Sequence, residues 1–391
     1  KTACRIATSN KQSPSAAAAN MPTEPLRAQT YMDVLSRLVL LGYSGDYTQP
    51  LSDLSKIYPD LEYVSQLSDP DLTEFLKLAD THHVTVRALQ ILENAAIARH
   101  DQTIAAWCST VIQNERTRIA RAVQFLLPIC KALDAAGAKV SVIKSLDHWP
   151  DLGSDLDLYT SGDPQTVARV MATEFNARQE DRSWGDRLAN KWNFSVPGLP
   201  EFIEIHVRYL GQTGEHQQLA RRVIERSVTK TVGGFTFPVP AAEERVLIST
   251  LQRMYRHFYF RLCDMADFAA LLQKHAIDFP ELRKAAKESG IWPGVATFLL
   301  LVAEYVKKYG GSAEVPEDVL SSASSRDIRV SFSGGFLRVP MLPAAALYGS
   351  QLLSAGLHGD VRAICRLPLL PPLAVSALLA YRLTGSDKGI W

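Results

Sequence analysis

The chain has 391 residues and is 47% hydrophobic, enough to bury one large core or two smaller ones, and its 42 Lys and Arg nearly cancel its 41 Asp and Glu. A net charge of +1 excludes a bulk attraction to nucleic acid or acidic membrane, so there is no strong nucleic-acid signature, and only a local basic groove stays open. The five cysteines (Cys4, Cys108, Cys130, Cys263, Cys365) lie far apart without metal-finger or Cys-x-x-Cys spacing, which argues against a disulfide framework or structural zinc and fits a reducing cytoplasm.

Residues 1–24 read as a disordered leader, since 1–20 are rich in Ala, Ser, Lys and Thr and lack the apolar core of a signal peptide, and Met21 is a candidate natural start. Residues 25–137 are a helical lobe, with apolar positions at helical spacing in Val34, Leu35, Leu38, Leu41 and in Val86, Leu89, Leu92, Ala96. Asp69-Pro-Asp opens one of its helices, Asp101 opens another that runs to Ala136, and Gly137 supplies a stop.

At Lys139 the character changes. Val140 to Ile143 is a short β-branched run that reads as a buried strand, and Leu156 to Tyr159 is a second. Pro164 to Phe175 is helical. Trp192 to Val196 and Phe202 to Val207 then alternate as an antiparallel pair joined by a turn at Pro197 to Pro200. A hairpin is expected over Val228 to Pro238 around Gly233-Gly234, closing an α+β core of 138–240. Helices follow at Glu243 to Leu272, Phe279 to Ser289 and Pro293 to Tyr309, so 241–310 is a helical lobe packing on that core. Residues 311–391 are a linker, with one strand at Ile328 to Phe332, and C-terminal helices. The fold class is α+β, a small mixed β-sheet core flanked by helical lobes. No run reaches the roughly 20 apolar residues that span a bilayer; Leu367 to Tyr381 holds three prolines and reads as a packed helix after a stiffened turn.

The chemistry concentrates in Gly153-Ser154-Asp155-Leu156-Asp157-Leu158. In a strand, Asp155 and Asp157 point to one face while Leu156 and Leu158 turn inward. Two such charges repel unless a cation sits with them, and Mg²⁺ (or Mn²⁺) is the natural one because it takes carboxylates plus substrate phosphates. Glu204, which shares a face with His206 in Phe202 to Val207, is the candidate third carboxylate. Lys144-Ser145 at the first strand end and the amides of the Gly153-Ser154 turn suit nucleotide phosphates. The reaction implied is in-line attack of an acceptor oxygen on the α-phosphate of an NTP.

These residues (the strand Val140 to Ile143, Lys144-Ser145, Gly-Ser-Asp-Leu-Asp-Leu and Ile203-Glu-Ile-His206) resemble the polymerase-β nucleotidyltransferase superfamily, and more narrowly a bacterial group of nucleotidyltransferase-like proteins, over about 120–275. The resemblance implies an enzyme in which Asp155, Asp157 and Glu204 are metal ligands and Lys144 and Ser145 touch phosphate. Ser145 stands where that group has Gly, and Glu204 where it has Asp.

Simpler readings stand beside these. Glu204 pairs with an arginine such as Arg208, and His206 is a satisfied sheet-edge histidine or holds the substrate or Glu204. Arg256, His257, Arg261 and Asp264 line the cleft near the nucleotide or form a salt-bridged helix surface, the second being the simpler reading, and Arg221, Arg222 and Arg226 are a solvated face or a nucleic-acid contact, the first being the simpler. Two other functions stay open: an Asp-x-Asp glycosyltransferase, which calls for alternating strands and helices ahead of the motif, and a non-catalytic binding or antitoxin-like module. The acceptor, whether RNA, protein, peptide or small molecule, is not specified by any motif.

Overall fold

A computed structural model describes residues 24–41, 53–325 and 328–384; the expected leader lies outside them except for its last position. The central sheet has the order β1-β2-β5-β4-β3, formed by β1 (Val140–Val142), β2 (Asp155–Thr160), β3 (Arg178–Gln179), β4 (Lys191–Ser195) and β5 (Phe202–Val207). Only β2 and β5 run parallel, which requires a crossover. The helix Pro164–Phe175 begins it, capped by the Asp163 carboxylate and opened by Pro164 at the position where a missing N–H costs nothing. Period-2 alternation sends Leu156, Leu158, Ile203, Ile205 and Val207 into the core, each completely buried, and leaves the acids on the other face.

A 34-residue helix, Gln102–Ala135, packs on β1 and carries the core side chains Ile119, Val123, Leu126 and Leu133. It ends where expected, with Gly137 in the left-handed region. The hairpin of β6 (Ser227–Val232) and β7 (Phe235–Pro240) turns at Gly233-Gly234, both at positive φ. Arg222 and Arg226 are not a bare solvated face: they pair with Glu243, Glu244 and Glu281. One continuous apolar cluster runs from Tyr31 to Leu347.

The expected helix Glu243 to Leu272 is interrupted. Ala242–Gln252 is α-helical, Arg253–His257 widens to a π-turn, Phe258 takes a left-handed conformation, and β8 (Tyr259–Phe260) precedes the helix Leu262–Gln273. The break has no Gly or Pro to announce it. It is stabilised from afar, because β8 pairs with β10 (Phe336–Arg338), itself in a hairpin with β9 (Ser331–Ser333). The strand expected at Ile328 to Phe332 is thus displaced to 331–333 and gains a partner.

His82 ties these pieces together. Leu262 N donates to its Nδ1 at 2.9 Å and its Nε2 donates to Gly335 O at 3.0 Å, so only the neutral ring fits. Burial lowers its pKa to about 4. Because the folded value lies below the unfolded one, the stabilisation is complete above about pH 6.5 and is lost as pH falls toward 4. Denaturant unfolding at pH 5 should give a stability about 2 kcal/mol below that at pH 7.5 from this ring alone, and His82→Gln should flatten that slope.

The C-terminal helices Met341–His358, Val361–Arg366 and Leu370–Thr384 form, but Leu353, Leu357, Val375, Leu379 and Leu383 stay exposed, so this segment is less packed than its composition suggests. No helix among the described residues is long and apolar enough to cross a membrane.

Candidate active site

β2 and β5 pair in a register that sets Asp157 directly beside Glu204, with Asp155 two residues earlier on the same face. Lys144, Ser145, Gly153, Ser154, Asp155, Asp157 and Glu204 all line one cavity of about 240 Å³. His206 lies on the Glu204 face but opens onto a neighbouring pocket of about 40 Å³ with Ile143, Leu210 and Leu251; the two share Lys144, Gln252 and Arg256.

Lys144 follows β1 in a γ-turn of the rarer hand, φ +60° and ψ −61°, closed by Ser145 N donating to Ile143 O at 2.6 Å. A non-glycine residue held there costs about 1–3 kcal/mol, so the surrounding structure must enforce it. Its Nζ sits 2.5 Å from Asp157 Oδ1 and 3.9 Å from Glu204 Oε1. Ser145 is buried and works on the backbone: its Oγ accepts from Asp157 N at 2.8 Å and donates to Asp155 O at 3.1 Å, which pins β2 at the two acids.

Among the described residues Glu204 has no arginine partner; Arg208 lies near Asp163 instead, 3.6 Å away. Its Oε2 accepts from Lys191 Nζ at 2.9 Å, and Lys191 also reaches Asp186 at 2.9 Å. Its Oε1 accepts from His206 Nε2 at 2.9 Å. Burial opposes ionisation of Glu204, but the His206 hydrogen bond and the Lys191 and Lys144 charges outweigh it and hold the carboxyl well below its ordinary value. Asp155 is different. Its nearest partner is the exposed Ser154 hydroxyl at 3.3 Å, and burial, then Asp157 and Glu204, push its pKa up. The sequence argument left a metal cation as the partner these acids need; the fold supplies two ammonium groups for Asp157 and Glu204 and leaves Asp155 uncompensated.

Several residues of the site were missed in the sequence. Lys191 begins a strand whose register with β5 sets it beside His206, and alternation along Lys191–Ser195 was the available signal. Arg118, from the long helix, donates to Leu152 O at 2.9 Å and pairs with Glu201 at 2.5 Å, clamping the segments that lead into β2 and β5. His83 stacks on His148 with ring centroids 5.7 Å apart and borders Gly153, where an added Cβ would lie 3.4 Å from its ring, an ordinary van der Waals contact.

The break after Gln252 carries the rest of the wall. Arg256, His257, Tyr259 and Arg261 line the cavity with Arg253, and Asp264, the acid expected to pair with Arg256, His257 or Arg261, instead takes the Arg253 guanidinium at 2.8 Å. The others are not a salt-bridged helix surface, because the helix they were expected to share does not exist. Tyr255 props the turn by lying on Gly294, whose missing side chain makes the room. Gly294→Ala should cost about 1–3 kcal/mol by overpacking and displace the turn, measurable by urea denaturation.

A family described as uncharacterised nucleotidyltransferase has a model that matches residues 68–307, more than half of the chain. No curated protein and no solved structure matches. With the acids of β2 and β5 side by side in the matched region, the chain belongs to this uncharacterised nucleotidyltransferase family.

Proposed function

We propose that the protein is a Mg²⁺-dependent enzyme that transfers a nucleoside monophosphate from an NTP to an acceptor, with residues 138–240 as its catalytic core and 25–137 and 241–310 as flanking helical lobes. The observation that carries this reading is the register of Asp157 against Glu204, with Asp155 on the same face of the same cavity. The carboxylates suit a hard cation: Asp157 and Glu204 offer oxygens within 4.8 Å of each other, and Asp155 is a carboxylate that a cation would relieve. Asp155, Asp157 and Glu204 would hold Mg²⁺ or Mn²⁺, which when bound supplies neutralising charge at the phosphates and the attacking oxygen.

The acceptor oxygen bonds to the α-phosphorus, the bond from that phosphorus to the bridging oxygen breaks, pyrophosphate leaves with the electron pair, and the acceptor proton passes to a site carboxylate or solvent. Lys144 and the Gly153-Ser154 turn take up phosphate charge, while Ser145 and Arg118 keep the acids in register. A binding module without catalysis is favoured by a different observation, the Lys144 and Lys191 ammonium groups that already neutralise two of the acids. A calorimetric titration with Mg²⁺-ATP, followed by incubation with α-labelled and γ-labelled ATP, separates the two. Transfer of the α-label alone supports the enzyme, binding without transfer supports the module, and no heat removes both.

A further inference from the structure

The cavity holds more positive charge than its acids require. Five permanent cations, Lys144, Lys191, Arg253, Arg256 and Arg261, line it with three acids, Asp155, Asp157 and Glu204. Three of the cations are committed: Lys144 to Asp157, Lys191 to Glu204 and Asp186, Arg253 to Asp264. Arg256 and Arg261 form no ion pair with a carboxylate among the described residues. Arg261 Nη1 donates to His83 Nε2 at 2.5 Å, yet its Nε is buried without an acceptor. A guanidinium has five N–H donors and no acceptor, so the half-buried Arg261 keeps donors free beyond the one His83 takes.

The two imidazoles beside them add no compensating charge. Burial first, then Arg261 for His83 and Arg256 for His257, holds both rings neutral, well below their ordinary pKa. Arg256 lies in the π-turn and Arg261 follows β8 at the cap of the next helix, both outside the sheet that carries the acids. A planar guanidinium fork matches the oxygens of a phosphate two at a time.

We propose that Arg256 and Arg261 form an anion seat in the cavity that takes a phosphate group. The seat rests on the reading of the cavity as a nucleotidyl-transfer site, and its ligand is either the terminal phosphate of the donor or a phosphate carried by the acceptor. Both sources share one chemistry, and binding experiments on the full chain distinguish them.

The probes are inorganic tripolyphosphate, inorganic phosphate, ATP and AMP, titrated calorimetrically in the presence of a chelator. Arg256→Gln and Arg261→Gln should each weaken tripolyphosphate at least tenfold and leave AMP within about twofold, since a lost charge-assisted bond of this kind is a roughly tenfold effect. Arg256→Lys should recover part of the loss, because it restores charge without the fork. Asp155→Asn with Asp157→Asn should bind tripolyphosphate undiminished, so failure of the metal reading would leave the seat standing. Competition between ATP and inorganic phosphate assigns the seat to the donor; phosphate binding to ATP-loaded protein, lost in the Arg variants, assigns it to the acceptor. Wild-type affinities for tripolyphosphate and phosphate in Arg256→Gln overturn the proposal, as does no binding of either to the native chain. Among the described residues Arg256 has no hydrogen-bond or ion-pair partner to strand, so that variant decides the matter even if Arg261→Gln fails to fold.

Discussion

Asp157→Asn should reduce transfer of the α-label from ATP by about a thousandfold or more, the scale on which preorganised charge at the reacting phosphate acts. The variant loses the carboxylate that sits against Glu204 and holds the Lys144 ammonium, so both the cation site and the position of that lysine go together. Asp155→Asn should lose comparable activity but differ in stability. Burial and the two neighbouring acids make its ionised form unfavourable, so replacing it should raise the unfolding midpoint slightly in metal-free buffer. Added Mg²⁺ should stabilise the native chain and not the variant. Activity at native level in Asp157→Asn would remove the catalytic reading; an unchanged midpoint in Asp155→Asn would remove the claim that its charge is uncompensated.

Arg87→Met should cost about 3–5 kcal/mol of folding stability, because it leaves charge buried without its partner. Arg87 is almost completely buried and reaches Asp151 at 3.2 Å, Asp267 at 2.7 Å and His148 O at 2.5 Å. Asp267 in turn accepts from His148 Nδ1 at 2.6 Å, and Asp151 accepts from Val86 N at 2.6 Å. The network joins the helix Thr85–Ala98, the turn after Lys144 and the helix Leu262–Gln273 behind the cavity. Urea unfolding of the variant should show a lower midpoint with an unchanged slope. A change under about 1 kcal/mol would mean that the buried acids find other partners.

What could be read from the sequence was whatever repeats locally. Alternation placed Asp155, Asp157, Glu204 and His206 on one face of their strands, and helical spacing with Asp101 and Gly137 bounded the long helix. The register that sets Asp157 beside Glu204 was expected only as a neighbouring strand, since pairing depends on the crossover rather than on either strand. For Arg256, His257 and Arg261 the sequence offered both a cleft lining and a salt-bridged helix surface and could not decide between them. Residues 243–272 have unbroken helical spacing, and the break at Arg253 exists because β10, about 80 residues later, pairs with β8. Lys144 was named as a phosphate contact, but its γ-turn and its approach to Asp157 depend on backbone geometry that no residue type announces.

The pairing of β8 with β10 also separates two kinds of boundary. The family match stops at residue 307, while Phe336 packs at a tilt against Tyr259 with ring centroids 4.2 Å apart and Arg338 lies over the same ring at 5.3 Å. A polypeptide cut at the end of that match would keep every acid and forfeit the strand that steadies one rim of the cavity.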